Sequence, residues 1–305
     1  MGMTAPIADR PLDAGLDVRL DVRSLPAAAT TRFAPAPTGY LHLGHVANAL
    51  WTWGLAQATG GRVILRIEDH DRQRSRPVFD AAILEDLAWL GFVPDEGPLR
   101  QSDPDALTAY SEAADRLRHD DLVYGCDCSR STFTAWAERA GRTWSGSGCP
   151  GGCRERRLDG PIWRVALGDG SEAWLDGVAG ASSGVVAGAG GDLPIRDRHG
   201  QWTYGFCVVV DDLRQGVDVV VRGRDLIDAT PAQIRLAQRL GRTSGPTFVH
   251  HPLILRPDGS KLSKSAGDSG VRDLRAAGRS AAEVRAMAAA TVGPPDAGGA
   301  STRGS

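Results

Sequence analysis

Lysine is nearly absent from this chain of 305 residues. Lys261 and Lys264, three residues apart in "GSKLSKSAG", are the two lysines among 35 Lys+Arg residues, so arginine carries almost all of the positive charge. Net charge is −2, which excludes a global electrostatic pull on nucleic acid. An RNA partner would have to be gripped by local arginine patches. No apolar run approaches the ~20 residues of a membrane-spanning helix, so no membrane association is expected. The first residues lack a basic start followed by an apolar stretch, and the cytoplasm is the expected compartment. Cysteine is scarce and uneven: four of the five lie between positions 126 and 153.

What is present alternates. Apolar residues make up 42% and charged residues 24%, enough for one large domain with a smaller appended one. Residues 1–29 show little periodicity and read as a loose N-terminal extension. From Arg32 to Leu117, "RVILRI" predicts a buried strand and "FDAAILEDLAWLG" an amphipathic helix ending at Gly91. Such alternation predicts βαβ units and a parallel sheet, an α/β Rossmann-like domain over 30–288. Residues 126–160, rich in cysteine and glycine, form an insert. The low-complexity stretch 177–192 reads as a flexible loop. "FCVVVDD" and "VDVVVRG" read as two β-branched strands joined by a hairpin-like or short-crossover link. Residues 289–305, rich in Gly, Pro and Ala, read as a disordered tail.

Three stretches carry chemistry. Cys126-x-Cys128 and Cys149-x₃-Cys153 are two chelating bites separated by a loop, the layout of one structural zinc site. The competing readings are disulfides, disfavoured in the cytosol, or four packed thiols. Cys207, in an apolar run, reads as core. In "RFAPAPTGYLHLGHVANALWTWGLA", Gly39 and His42-Leu43-Gly44-His45 open a helix whose N-terminus favours phosphate. His42 and His45 share a helix face and suit phosphate oxygens better than a metal, since no spaced carboxylate accompanies them. The lysines complete the pattern. An arginine bias strips lysine wherever either cation serves, and spares it where a compact, flexible charge must meet a phosphate.

"HLGH" near the start and "KLSKS" near the end of a split α/β domain resemble the two signatures, HIGH and KMSKS, of class I aminoacyl-tRNA synthetases. "LRIEDHDRQRS", "YGFCVVVDD", "VRGRDLIDATPAQI" and "HHPLILRPDGSKLSKS" resemble the glutamyl-tRNA synthetase branch, in order, over residues 32–265. The resemblance implies that Arg32 and Arg222 hold the carboxylates of glutamate, Glu68 its ammonium group, and that Ala34, Ala36 and Tyr204 line the pocket. It implies ATP on His42, Gly44, His45 and Lys264, with Lys261 assisting, and Asp211 and Asp212 facing the acceptor nucleoside. From the residues alone, Asp211 and Asp212 equally suit acids capping a strand, and Glu68 a surface ion pair. About forty residues follow Ser265, so no anticodon-binding domain is expected. That resembles the glutamyl-queuosine tRNA(Asp) synthetases, which place glutamate on the queuosine of tRNA(Asp). Ala36 stands where that family usually has serine, and Cys149 where it often has tyrosine.

The resemblance implies a monomeric, adenylate-forming ligase that uses glutamate and ATP with Mg²⁺, and queuosine-bearing tRNA(Asp) as acceptor. Other readings fit the sequence as well. They are a truncated glutamyl-tRNA synthetase charging a tRNA end, a ligase using another acceptor, and an inactive RNA- or zinc-binding module. No residue reads as a general base for the transfer step.

Overall fold

Strand β1 (Thr30–Phe33) is buried along its whole length and pairs in parallel with β2 (Arg62–Ile67), Thr30 opposite Arg62 and Phe33 opposite Leu65. The structure, a computed structural model, describes residues 24–141, 149, 152–186, 191–253 and 270–290. Strand β2 is buried beyond its first residue, as its continuous apolar run predicts, and pairs in parallel with β3 (Glu96–Arg100). Parallel neighbours need crossovers. Helices α1 (Leu43–Thr59) and α2 (Pro77–Leu90) supply them. Pro77 sits in the first turn of α2, and Gly91 closes it at φ 78°, a left-handed position that glycine takes without strain.

A second sheet runs β7-β6-β10-β9. Strands β6 (Ser171–Asp176), β9 (Val219–Gly223) and β10 (Thr247–His251) are parallel, and β7 (Gly180–Val185) pairs antiparallel at the edge. The two sheets meet where Asp218 N donates to Thr30 O at 2.9 Å and Thr30 N donates to Asp218 Oδ2 at 3.1 Å. That seam sets β1 beside β9. The carboxyl ends of strands from both sheets open onto a single cleft, where open α/β sheets bind ligands.

One core layer packs α1 and α9 (Ala281–Ala290), which follows the short α8 (Val271–Ala276), on the sheets through Leu50, Leu55, Ile67, Val221 and Val284. The other joins α3 (Pro104–His119), α6 (Tyr204–Arg214) and α7 (Thr230–Arg239) through Tyr110, Phe206 and Leu236. The insert hangs on a three-stranded antiparallel sheet of β4 (Val123–Cys126), β5 (Ile162–Val165) and β8 (Leu193–Arg196). It carries α4 (Arg130–Ala140) and the short α5 (Gly152–Glu155). Among the described residues no helix is long and apolar enough to cross a membrane.

Four expectations are corrected. "FCVVVDD" is helix, within α6, and not a strand, so no hairpin joins it to β9. Burial of Phe206, Cys207 and Val208–Val210 overrides their β preference. Residues 180–185 of the supposed flexible loop form β7, while 187–190 lie outside the described residues. Leu25 and Ala29, placed in the loose extension, are buried in the core; residues 1–23 are outside the described set. Helix α9 takes in residues 289 and 290 of the supposed tail, with Ala289 buried.

Candidate active site

The cleft between β1 and β9 encloses about 490 Å³. It gathers Arg32, Ala34, Ala36, His42, Gly44, His45, Glu68, Tyr204 and Arg222 from stretches far apart in the chain. Lys261 and Lys264 lie in 254–269, outside the described residues.

One lip is the start of α1. His42 is its N-cap: Gly44 N donates to His42 Nδ1 at 3.0 Å, and His42 N donates to His45 Nδ1 at 3.2 Å. With both Nδ1 atoms accepting, each neutral ring carries its proton on Nε2, a donor suited to an anion. Gly44 is required by this packing. A Cβ there would lie 2.7 Å from the His42 ring. Behind them Asn48 Nδ2 meets His251 Nε2 at 2.8 Å, and Trp51 stacks against the His251 ring.

The floor is a buried ionic network. Asp212 Oδ1 accepts from Arg32 Nε at 3.1 Å and from Arg66 Nη2 at 2.5 Å. Asp211 accepts from Tyr110 and Gln101, both at 2.8 Å, and pairs with Arg214 at 2.8 Å. Helical turning brings these two successive acids into one network, whereas a strand would send them to opposite faces. Neither Asp211 nor Asp212 lines the cleft, and both are buried, so the expectation that they face an acceptor nucleoside is overturned, as is strand capping. Burial opposes ionisation of Asp212, but Arg32 and Arg66 outweigh it and hold its pKa below the usual carboxylate range.

Glu68 is no surface ion pair. It is buried, with Arg66 Nη1 at 3.9 Å, close enough for ionic attraction but too far for a hydrogen bond. Burial, opposed by Arg66 and Arg32, raises its pKa to about 7. A cation docking beside it would favour the ionised form and draw the proton off.

Arg222 is the opposite case. It is 4% exposed. Its Nε donates to His250 Nε2 at 3.0 Å, Nη2 to Thr230 Oγ1 at 2.7 Å and Nη1 to Gln233 Oε1. Every one of these acceptors is neutral, and the Phe248 ring lies 5.0 Å beneath the guanidinium. Among the described residues no carboxylate forms an ion pair with it. Burial lowers its pKa. A buried cation with neutral partners at the wall of a cleft has the chemistry to take an anionic ligand. Arg32, by contrast, spends Nε on Asp212 and Nη1 on Val221 O at 3.0 Å.

The four clustered cysteines stand apart from the cleft. Their Sγ atoms lie within 4.8 Å of one another, all buried, and none is in a disulfide. Cys128 Sγ is 3.3 Å from Cys153 and 4.0 Å from Cys149, bracketing the ~3.8 Å edge of a tetrahedral thiolate site with 2.3 Å bonds. Two donors already face sulfur, Cys128 N to Cys126 Sγ at 3.4 Å and Arg156 Nη2 to Cys153 Sγ at 3.5 Å. Burial pushes the Cys128 thiol up to about 12, so thiolates here require a cation, and the set fits a metal ion. Cys207, by contrast, is plain core in α6.

Asn48, His70, Asp225 and His251 also line the cleft, and residue types alone did not single them out. Asn48 follows His45 by three positions on the same helix face, a spacing that could have revealed it.

The family described as "tRNA synthetases class I (E and Q), catalytic domain" matches residues 28–145 and 176–281. A "Glutamyl-Q tRNA(Asp) synthetase" of Symbiobacterium thermophilum is 43% identical over 268 residues, covering 82% of each chain. A "Glutamate--tRNA ligase 1" of Acidithiobacillus ferrooxidans is 40% identical, covering 81% of this chain and 53% of its own. The crystal structure of a glutamate tRNA ligase from Elizabethkingia meningosepticum superposes with TM-score 0.66 at 30% identity, over 79% of this chain and 53% of that one. The buried-arginine cleft between the two adjoining sheets is therefore set in a shared catalytic body, and the chain belongs to the class I tRNA synthetase (E and Q) catalytic-domain family.

Proposed function

We propose that this protein activates glutamate with ATP as glutamyl-adenylate and transfers it to the queuosine base at the wobble position of tRNA(Asp). The observation that carries the amino-acid half is Arg222, a buried cation held by neutral acceptors at the cleft wall. Glutamate is the ligand that answers both this cation and the raised carboxyl of Glu68. Its carboxylates suit Arg222 and Arg32, and its ammonium suits Glu68, with Tyr204 and Ala36 lining the space between.

In activation, a glutamate carboxylate oxygen attacks the α-phosphorus of ATP, supplied with Mg²⁺. The bond to the β-phosphate oxygen breaks and pyrophosphate leaves. His42 and His45 at the α1 N-terminus would donate to phosphate oxygens. Lys264 and Lys261 would neutralise the departing charge. In transfer, a hydroxyl of the queuosine cyclopentenediol attacks the activated carbonyl carbon. AMP leaves, and the hydroxyl proton passes to solvent. Catalysis rests on positioning and charge.

The acceptor half is supported by the Glutamyl-Q relatives, one at 43% identity over 82% of its length and one from Burkholderia cenocepacia at 40% over 80%. The test is labelled glutamate offered with ATP to three tRNAs. Label is expected on tRNA(Asp) bearing queuosine and on neither its guanine-bearing form nor tRNA(Glu). Equal labelling of both tRNA(Asp) forms would reject the assignment, and charging of tRNA(Glu) would favour an ordinary glutamate ligase.

We assign the four cysteines to one structural zinc. Metal analysis should find about one zinc per chain, and Cys149→Ala should hold less and melt at lower temperature. Metal-free protein of unchanged stability and activity would remove zinc from the assignment.

A further inference from the structure

The neutral partners of Arg222 pose a question of their own: what keeps them accepting? His250 Nε2 can accept the Arg222 Nε proton only when it is bare. Its other nitrogen decides that. His250 Nδ1 lies 2.5 Å from Asp176 Oδ2, at the end of β6. Asp176 is buried and cannot turn, because its second oxygen, Oδ1, accepts from Val178 N at 3.0 Å and Ala179 N at 3.2 Å.

We propose that Asp176 and His250 are positioning residues for glutamate binding, a relay that fixes one imidazole tautomer and thereby aims Arg222 into the cleft. The inference rests on Arg222 being the glutamate receptor. Asp176 takes the Nδ1 proton and leaves Nε2 with a lone pair. That lone pair accepts from Arg222 Nε at 3.0 Å, with Thr230 Oγ1 3.1 Å from the same nitrogen and itself accepting from Arg222 Nη2 at 2.7 Å. The Phe248 ring stacks parallel to it, at 5.6 Å and 6°.

The arrangement solves an electrostatic conflict. A carboxylate bonded directly to Arg222 would stabilise the buried cation but occupy donors that a substrate carboxylate needs. Asp176 supplies its negative charge one imidazole away. The guanidinium is compensated at a distance, and its four Nη protons face three neutral partners, Gln233 Oε1, Thr230 Oγ1 and the Tyr204 hydroxyl, so donor capacity remains for a substrate.

Asp176→Asn isolates the relay from the fold. The two backbone donors require an oxygen at the Oδ1 position, so the new amide nitrogen must face His250 Nδ1. It donates there, Nδ1 becomes the acceptor, and the ring proton moves to Nε2. Arg222 Nε then meets a proton instead of a lone pair, while the β6 turn keeps both of its hydrogen bonds. In glutamate-dependent ATP–pyrophosphate exchange, the KM for glutamate is expected to rise about tenfold or more while the KM for ATP moves less than about twofold. A general structural weakening would not separate the two substrates.

Nitrogen-15 spectra supply a second reading. Wild-type His250 should show a protonated Nδ1 and a bare Nε2, and Asp176→Asn the reverse. A wild-type ring protonated on Nε2 would overturn the proposal even if the variant failed to fold. So would an Asp176→Asn enzyme with the wild-type KM for glutamate. Arg222→Ala, assayed beside it, tells the two levels apart. Loss of glutamate use there with an unaffected Asp176→Asn overturns the relay alone, and unaffected use in both overturns the glutamate assignment beneath it.

Discussion

Arg222→Ala is expected to lower kcat/KM for glutamate in pyrophosphate exchange by about a thousandfold, equivalent to roughly 4 kcal/mol of lost stabilisation. The magnitude follows from burial. A solvated arginine facing a carboxylate contributes little, because water competes for both charges. Arg222 is shielded by Phe248, His250, Thr230 and Gln233, and its attraction to a bound carboxylate is screened far less. The KM for ATP should change little. The fold should survive, because the acceptors bonded directly to Arg222 are neutral and Asp176 keeps its hydrogen bonds with His250 and with the Val178 and Ala179 amides. A loss smaller than about tenfold in the same assay would mean that the carboxylates of glutamate are held elsewhere.

The cleft was legible in the sequence to an unusual degree because class I motifs are strand-to-helix turns, and such turns carry both structural and chemical constraints. Gly44 illustrates this. The same missing Cβ that lets His42 cap α1 also keeps the backbone close to the cleft. Arg32, Glu68, Tyr204 and Arg222 each sit in one of the motifs, and the structure brings them to one cavity. The cysteine cluster was legible by spacing alone, since two short bites and a loop leave few other ways to fold.

What escaped the sequence was long-range. Asp176 stands just before the stretch that reads as low-complexity, and its link to His250 joins β6 to β10 across 74 positions. No local pattern announces it. Strand β7 was missed because Gly, Ala and Ser have weak strand preference, and pairing with β6 decides its conformation. Helix α6 was misread for the opposite reason. Three consecutive valines favour a strand locally, yet a strand cannot bring Asp211 and Asp212 into one arginine network. The ionic floor and the two hydrophobic layers select the helix together.

That floor also governs the second large effect. Asp212→Ala is expected to destabilise the protein by about 3–5 kcal/mol, a large fraction of the roughly 5–15 kcal/mol that a domain commands. The substitution mirrors Arg222→Ala in reverse. Loss of Arg222 leaves its directly bonded partners neutral, but loss of Asp212 would leave Arg32 and Arg66 buried with their shared acceptor gone. For Arg66, burial opposes the charge and Asp212 leads the groups that outweigh it; Asp211 and Glu68, each at 3.9 Å, are too distant to replace it. Urea unfolding should show the loss as a lower midpoint, and Asp212→Asn, which keeps the acceptor oxygen but not the charge, should fall between Ala and wild type. The site should respond too. Arg32, freed at Nε but still tied to Val221 O, would no longer be held square to the cleft, so the KM for glutamate should rise even where the folded fraction is unchanged. An Asp212→Ala protein with the wild-type unfolding midpoint would show that solvent reaches the two arginines, and the buried network would then be no determinant of either stability or the shape of the cleft.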